Sequence, residues 1–307
     1  MSEMLEGRVA VVTGAGRGIG RGIARCLAAE GARVVVADYG VSGDGREPSS
    51  EPAEQVVAEI RDAGGEAAAV ADTVATMEGA ARIVGTAVER WGRIDILVTC
   101  AGFLRDRMIF NMSEEDFDAV VGVHLKGTFA CIRAAVGPMR EAGYGRIITF
   151  ASGAGLFGNP GQSNYGSAKS GIGGLTKVVA RDLGKYGITC NSICPVAGTR
   201  MTLTEAYFKA REIRKKQGIV REDRGVADVE KLSPDDVAPL VAFLASEEAW
   251  NVNGQFFLAT GPSYSLLSQP RPVATIFQPR RWTVAELIET VPDTLMRGVS
   301  NPAPPRE

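Results

Sequence analysis

A glycine-rich turn between a predicted strand and a predicted helix constrains the fold of this chain most. Residues Arg8 to Thr13 (RVAVVT) are apolar and β-branched, which is typical of a buried strand. The turn TGAGRGIG, from Thr13 to Gly20, follows at once, and Gly20 to Glu30 has helical periodicity. Strand, turn and helix in this order predict the first unit of a parallel α/β sheet.

The same alternation continues along most of the chain. Further strands are predicted at Ala32 to Asp38, Glu66 to Asp72, Arg93 to Gly102, Arg146 to Ser152, Ile188 to Cys194 and Gln255 to Thr260. Amphipathic helical patterns lie between some of them, as at Glu51 to Ala63 and Thr76 to Trp91. The alternation predicts a doubly wound, Rossmann-type α/β fold with a seven-stranded parallel sheet, in a single domain with a C-terminal extension.

Two insertions interrupt this predicted core. Residues 39–52 are rich in Gly, Ser and Pro, which predicts a long polar loop after the second strand. Residues 201–231 are highly charged and follow the sixth strand, at the sheet edge where lids are commonly built. We therefore expect a Rossmann-type domain at residues 1–268, with a lid at about 201–231, and an extension at residues 269–307.

The C-terminal extension contains a signal for the start of a helix. Thr283 and Glu286 have the spacing of a capping box, and Trp282 and Leu287 have that of a hydrophobic staple. These pairs predict a short docked helix. We expect the tail to lie over a pocket, either of its own subunit or of a neighbouring one.

Composition excludes several classes of protein. The net charge of −2 gives no basic excess for a nucleic-acid partner, and no apolar run approaches the roughly 20 residues of a membrane span. The first residues, MSEMLEGR, are too polar for a secretory signal, so we expect a cytoplasmic protein. Its five cysteines form no CxxC pair and are expected to be reduced, and its single histidine, His124, leaves no HExxH-type metal site.

The glycine-rich turn and the ends of the next strands predict a dinucleotide site. Free backbone N–H groups and the positive end of a helix dipole can hold a pyrophosphate at the turn. Asp38, at the end of the second strand, can accept hydrogen bonds from both adenosine ribose hydroxyls and would repel a 2′-phosphate, which favours NAD over NADP. The predicted cofactor-binding residues of this part of the chain are Gly14, Arg17, Gly18, Ile19, Gly20, Asp38, Asp72, Thr73, Cys100, Ala101 and Gly102.

Ser152, Tyr165 and Lys169 carry the candidate chemistry. Tyr165 and Lys169 lie four residues apart, so on a helix they share one face and the ammonium can favour the phenolate. Ser152 lies across a glycine-rich loop and is placed to bind the same substrate oxygen. Because this tyrosine–lysine spacing is also common between exposed residues, the interpretation depends on the dinucleotide site found elsewhere in the chain.

Together, these motifs resemble the short-chain dehydrogenase/reductase family. The resemblance runs from about Gly7 to Gly261 and rests on TGxxxGxG, the Asp72-Thr73 pair, the Ala101-Gly102 turn and Ser152 with Tyr165xxxLys169. The segments AGFLRDR, VHLKGTF and PVAGTRMT look most like the (3R)-hydroxyacyl-CoA dehydrogenase branch, found in peroxisomal multifunctional enzymes and in stand-alone bacterial relatives.

The resemblance implies further roles, and the chain also departs from the family's pattern at some of its positions. It makes Tyr165 and Lys169 cofactor-binding as well as catalytic, and it places Pro195 and either Thr199 or Thr202 at the cofactor, although Pro195-Val196 replaces the usual Pro-Gly turn. Thr99-Cys100 replaces the family's Asn-Asn. His124 occupies the slot of an asparagine that anchors a proton-relay water, which makes it a fourth catalytic candidate, although a lone histidine in this pattern also suits a packed helix.

An NAD-dependent interconversion of a secondary alcohol and a ketone is therefore expected, with a 3-hydroxyacyl-CoA-type substrate, no metal and a homotetrameric assembly. Arg105 and Arg107 could reach a CoA phosphate, but solvated loop charges are the favoured interpretation. Two alternatives remain open. One is the same chemistry on a steroid, terpenoid or other bulky cyclic alcohol, and the other is a non-catalytic, dinucleotide-binding regulatory protein.

Overall fold

Seven parallel strands form the centre of the protein, as predicted. The computed structural model describes residues 4–205, 208–209, 212, 229–299 and 301–302, so most of the predicted lid at 201–231 lies outside the described residues. The strands are β1 (Val9–Thr13), β2 (Arg33–Ala37), β3 (Ala67–Val70), β4 (Ile96–Thr99), β5 (Gly145–Phe150), β6 (Ile188–Val196), β7 (Phe256–Thr260) and β8 (Ser263–Leu266). Their order in the sheet is β3-β2-β1-β4-β5-β6-β7-β8.

The eighth strand was not predicted. It pairs antiparallel with β7 after a two-residue turn, and all four of its residues are exposed. Its sequence, SYSL, alternates serine with Tyr264 and Leu266, but over only four residues, and none of the four side chains is buried. The sheet has seven parallel strands as expected, plus this short antiparallel edge.

Helices cover both faces of the sheet. In the described residues up to Leu267 the helices are α1 (Gly18–Ala29), α2 (Glu51–Asp62), α3 (Met77–Trp91), α4 (Glu114–Val121), α5 (Gly127–Ala142), α6 (Gly153–Phe157), α7 (Ser163–Leu183) and α8 (Ala238–Ala245). A further helix, α9 (Val284–Thr290), belongs to the C-terminal extension. A π-helical turn, Gly122–Lys126, joins α4 to α5. Successive strand residues face opposite layers: Val12 packs with the side chains of α1, α2 and α8, and Val11 with those of α3, α5 and α7.

The continuous helical stretch Glu114–Ala142 is long and apolar enough to pass a length-and-composition test for a membrane span. Its composition has another explanation, because α5 packs against α3 and contributes Ala135 and Met139 to a buried core cluster. A core helix of this kind passes the same test.

The chain divides into two compact units, Met1–Leu267 and Ser268–Glu307. The second unit contains α9, and the predicted capping box is present: the Thr283 hydroxyl accepts from the Glu286 N–H, and the Glu286 carboxylate accepts from the Thr283 N–H. Arg280 pairs with the same carboxylate and restrains it further. The docking of this helix stays a prediction.

Candidate active site

The glycine-rich turn brings the backbone of β1 close to the backbone that follows β4. Gly14 has φ +66°, and a Cβ atom there would lie 2.7 Å from the Ala101 Cα. A Cβ atom on Gly20 would overlap the Gly14 carbonyl. Helix α1 then begins at Gly18 without a side-chain N-cap, since the Arg17 side chain makes no capping hydrogen bond. The turn is thus a backbone cradle at a helix N-terminus, which suits an anionic ligand.

Asp38 is held at the rim of this cradle. One carboxylate oxygen accepts from the Gly16 N–H at 2.7 Å, and the other accepts from the Gly40 N–H at 2.7 Å. Each oxygen retains a second lone pair for a ligand hydroxyl. The carboxylate is therefore fixed in place and still able to accept hydrogen bonds.

A cavity of about 680 Å³ opens where the carboxyl ends of β1, β2 and β4 meet. Its lining includes twelve of the predicted cofactor residues: Gly14, Arg17, Gly18, Ile19, Gly20, Asp38, Asp72, Thr73, Cys100, Ala101, Gly102 and Thr199. This is the position where open, doubly wound sheets bind dinucleotides. The cradle, the fixed Asp38 carboxylate and the cavity together fit such a ligand.

Four predicted cofactor residues do not line this cavity: Tyr165 and Lys169, which lie with Ser152, and Thr202 and Pro195. The Thr202 hydroxyl donates to the Ala197 carbonyl at 2.7 Å and accepts from the Thr199 N–H at 2.8 Å, so it stabilises its own turn. Pro195 lies within β6 and pairs with Ala259 of β7. Thr199 is the threonine of the two that reaches the cavity.

Asp72 has a partner that the sequence analysis missed. Its carboxylate accepts from Arg82 at 2.6 Å and 3.0 Å, and this pairing lowers its pKa. The two residues are ten positions apart, at the end of β3 and within α3. No local motif marks such a pair, so only the fold reveals it.

Ser152 and Tyr165 meet beyond the end of β5. Ser152 caps the short helix α6, where its hydroxyl accepts from the Ala154 N–H at 3.2 Å, and it lies close enough to the Tyr165 side chain to lower the pKa of the phenol. Tyr165 and Lys169 lie one turn apart on α7, with the Lys169 Nζ 5.5 Å from the centre of the Tyr165 ring. The predicted triad is thus brought together.

The charges in this triad depend mainly on burial. Burial raises the pKa of Tyr165 to about 12, although the nearby Ser152 side chain opposes this rise, and burial lowers the pKa of Lys169 to about 8. The Lys169 ammonium donates to the Phe150 carbonyl at 2.7 Å. The sequence analysis expected Lys169 to lower the pKa of Tyr165. In this arrangement desolvation dominates instead, so the pKa of Tyr165 is raised and the phenol is protonated at neutral pH.

His124 lies in the π-helical turn and contacts Tyr165. The two rings meet edge to face, with centroids 5.1 Å apart, and the imidazole lies so close to Gly102 that a Cβ atom there would overlap it. Burial, with the nearby Lys169 charge, lowers the pKa of His124 to about 3, so the ring is neutral. Its Nε2 lies 2.8 Å from the Phe103 carbonyl oxygen.

This contact settles the tautomer of the neutral ring. A carbonyl only accepts, so Nε2 carries the proton and donates it to Phe103. The other nitrogen, Nδ1, is then an acceptor, and it is buried without a partner among the described residues. The site therefore contains one unused buried acceptor beside the catalytic tyrosine.

Comparison with known proteins shows which family the chain belongs to. Residues 8–210 match the profile of the short chain dehydrogenase family. The chain belongs to this family. It is accordingly an oxidoreductase of the kind that uses a nicotinamide dinucleotide, NAD(P). The cavity at the glycine-rich turn of this dehydrogenase has the features to bind the dinucleotide.

Several relatives of this dehydrogenase are similar over most of its length. A putative short-chain type dehydrogenase/reductase of Mycobacterium tuberculosis is 46% identical, over 80% of this chain and 79% of the relative. The hydroxyacyl-CoA dehydrogenase ChsB1 of the same organism is 42% identical, over 87% and 81%. The peroxisomal multifunctional enzyme type 2 of Mus musculus is 43% identical, over 83% of this chain but 32% of that longer protein.

A solved structure agrees with the fold. The crystal structure of a short chain dehydrogenase from Mycobacterium avium has a TM-score of 0.80 and 45% identity, and the match covers 98% of both chains. The likeness therefore extends over nearly the whole dehydrogenase.

Proposed function

We propose that this dehydrogenase interconverts the secondary alcohol and the ketone of a 3-hydroxyacyl-CoA-type substrate, with NAD as the preferred dinucleotide. The observation that carries the reaction is the grouping of Ser152, Tyr165 and Lys169, with Lys169 one helical turn from Tyr165, next to the dinucleotide cavity. The substrate class is supported by the relatives that are named hydroxyacyl-CoA dehydrogenase or peroxisomal multifunctional enzyme.

Tyr165 exchanges a proton with the substrate oxygen. In ketone reduction its neutral phenol donates the proton, and in alcohol oxidation its phenolate accepts one. Since burial raises the pKa of Tyr165 to about 12, the phenol is ready to donate at neutral pH, and oxidation speeds up as the pH rises. The bound dinucleotide supplies the hydride acceptor or donor at its nicotinamide.

The neighbouring groups hold the oxygen and the proton path. Ser152 donates to the substrate oxygen as negative charge develops on it. Lys169 stabilises the phenolate through its positive charge and binds the nicotinamide ribose. His124 stays neutral, and its free Nδ1 accepts from a relay water behind Lys169.

The preference for NAD rests on Asp38. Its carboxylate is fixed by two backbone N–H groups and retains lone pairs for the ribose hydroxyls, whereas a 2′-phosphate would bring negative charge against it. Gly14, Gly18 and Gly20 hold the pyrophosphate, because side chains there would fill the cradle or strain its backbone.

Initial rates of NADH formation test the proposal. The panel contains 3-hydroxyacyl-CoA esters of several chain lengths, steroidal and cyclic alcohols, and simple secondary alcohols. We expect kcat/KM to be at least about tenfold higher for a hydroxyacyl-CoA ester than for any free alcohol. A preference for a steroidal alcohol would contradict the proposed substrate class but not the proposed interconversion of alcohol and ketone. Failure of every alcohol to reduce NAD would favour the non-catalytic alternative.

The proposal includes a cytoplasmic homotetramer built on the helical stretch Glu114–Ala142, which contains His124, and on α7, which contains Tyr165. Both helices leave apolar side chains exposed, Phe129 on α5 and Val178 on α7. Sedimentation or light scattering tests the assembly, and a monomer at micromolar concentration would exclude it. Deletion of residues 269–307 tests the docked tail: unchanged substrate affinity, stability and assembly would show that the tail plays no such part.

A further inference from the structure

The segment Ala101 to Arg107 (AGFLRDR) follows β4, and the reaction described above leaves its arginines without a task. Sequence reasoning favoured solvated charges for them. Arg107 largely fits that description, because its side chain is 59% exposed, donates to the carbonyl of its neighbour Asp106 and approaches Asp116 only to 3.9 Å. Arg105 does not fit, since only 12% of its side chain is exposed.

Arg105 joins three parts of the protein. Its Nε donates to the Asp44 carbonyl at 2.9 Å, 61 residues earlier in the chain, in the long loop between β2 and α2. On its other side, Nη1 donates to Glu115 at 3.2 Å and lies 3.6 Å from Asp116, both at the start of α4. The guanidinium thus spans from the loop to α4. Its Cζ atom lies 5.5 Å from the centre of the Phe103 ring.

The loop that Arg105 holds forms a wall of the dinucleotide cavity. Tyr39, Val41 and Gly45 all line that cavity, as Arg105 itself does. Gly45, at φ +87°, lies directly against the Phe103 ring, because a Cβ atom there would come within 2.7 Å of it. A further hydrogen bond joins the Leu104 N–H to the Gly43 carbonyl at 3.4 Å. The loop is therefore fixed against the segment that carries Arg105, and Arg200 holds it elsewhere by donating to the Val41 carbonyl at 2.9 Å.

The same segment also fixes the start of the catalytic helix. Asn164 is fully buried, and its side-chain amide donates to the Arg105 carbonyl at 2.9 Å and to the Asp116 carbonyl at 3.0 Å. The Asn164 side-chain oxygen accepts from the Tyr165 N–H at 2.7 Å. Direct hydrogen bonds of Arg105 and Asn164 thus connect the loop, α4 and the backbone N–H of Tyr165.

We propose that Arg105 is a positioning residue that holds the loop of residues 39–50 as the wall of the dinucleotide cavity, in register with the helix that carries Tyr165. The proposal rests on dinucleotide binding in this cavity and not on the identity of the alcohol. It gives the arginine a purpose other than binding the phosphate of a CoA ester, because its Nε and Nη1 already donate within the protein, to Asp44 and to Glu115 of α4.

The test compares Arg105→Gln with the matched control Arg107→Gln, which removes an exposed arginine of the same segment. The first readout is the Kd for NADH, measured by fluorescence. The second is the rate of trypsin cleavage after Arg46, an exposed residue of the loop, with and without NADH. Arg105→Gln is expected to weaken NADH binding by about tenfold, the effect of losing one hydrogen bond to a charged group, and to speed cleavage at Arg46. Arg107→Gln is expected to behave like the wild type in both.

A conservative variant covers the case in which Arg105→Gln does not fold. Arg105→Lys keeps the positive charge beside Glu115 and Asp116 but lacks the planar fork that also reaches Asp44, so NADH affinity is expected between that of Arg105→Gln and wild type. A lower melting temperature with unchanged NADH affinity and unchanged cleavage would overturn the proposal, since it would make Arg105 merely structural. Weaker binding of CoA esters with wild-type NADH affinity would also overturn it, in favour of a CoA-phosphate role. Failure of every hydroxyacyl-CoA as substrate would leave these NADH readouts unaffected.

Discussion

The neutral state of His124 predicts a specific loss of stability in mild acid. His124 is the only histidine in the sequence, so no other imidazole contributes between pH 7 and pH 5. In the unfolded chain its pKa has the ordinary value of 6.5, whereas burial and the Lys169 charge lower it to about 3 in the folded protein. As the pH falls through 6.5, the unfolded chain takes up a proton that the folded protein does not.

The magnitude follows from this difference in bound protons. Below pH 6.5 the unfolded state binds one more proton, so the free energy of unfolding falls by about 1.4 kcal/mol per pH unit. From pH 6.5 to pH 5 the loss attributable to His124 is therefore about 2 kcal/mol. Most carboxylates remain ionised over this range and add little to it.

The assay is urea unfolding at pH 7 and pH 5 for the wild type and for His124→Asn, which has the residue usual in the family. The asparagine variant can differ in stability at both pH values, but it should lack the loss of about 2 kcal/mol between them. In parallel, the single imidazole of the folded wild type is followed by NMR and should not titrate above pH 4. Equal losses in the two proteins, or an imidazole that titrates near pH 6.5, would refute the reasoning.

Three further substitutions are expected to act through separate contacts. Asp38→Asn should weaken NAD binding by about tenfold and improve NADP binding, because the amide offers one acceptor and no negative charge; unchanged Kd values for both dinucleotides would contradict this. Gly14→Ala should abolish NADH binding and lower the melting temperature, since its Cβ atom meets the backbone at Ala101, and a stable variant with wild-type affinity would rule this out. Asp95→Asn should cost roughly 2 to 3 kcal/mol in urea unfolding with NADH affinity unchanged, because it breaks a buried carboxylate's pairing with Arg93; a loss below about 0.5 kcal/mol would count against it.

The sequence was sufficient for features that depend on short segments. The order of strand, TGAGRGIG turn and helix predicted the cradle of β1 and α1, because only glycine fits where backbones approach this closely. The position of Asp38 at the end of β2 predicted its place at the cavity. The four-residue spacing of Tyr165 and Lys169 placed both on one face of α7.

Features that depend on contacts between distant segments could not be predicted. Arg105 and Asp44 are 61 residues apart, and no pattern in the chain marks them as neighbours. Which of Thr199 and Thr202 lines the cavity depends on how the turn after β6 folds, and only Thr199 lies in the cavity lining. The pKa of Tyr165 depends on how deeply the fold buries the phenol, which spacing alone does not reveal.

The measurement that tests the central claim most directly compares Tyr165→Phe with the wild type, using NADH binding and NADH formation from a secondary alcohol substrate. The substitution removes only the hydroxyl that exchanges the proton and keeps the buried ring. We expect wild-type NADH affinity with kcat lowered by at least about a hundredfold, the typical contribution of a positioned acid–base group. A Tyr165→Phe enzyme that binds NADH normally and keeps wild-type turnover would contradict the account.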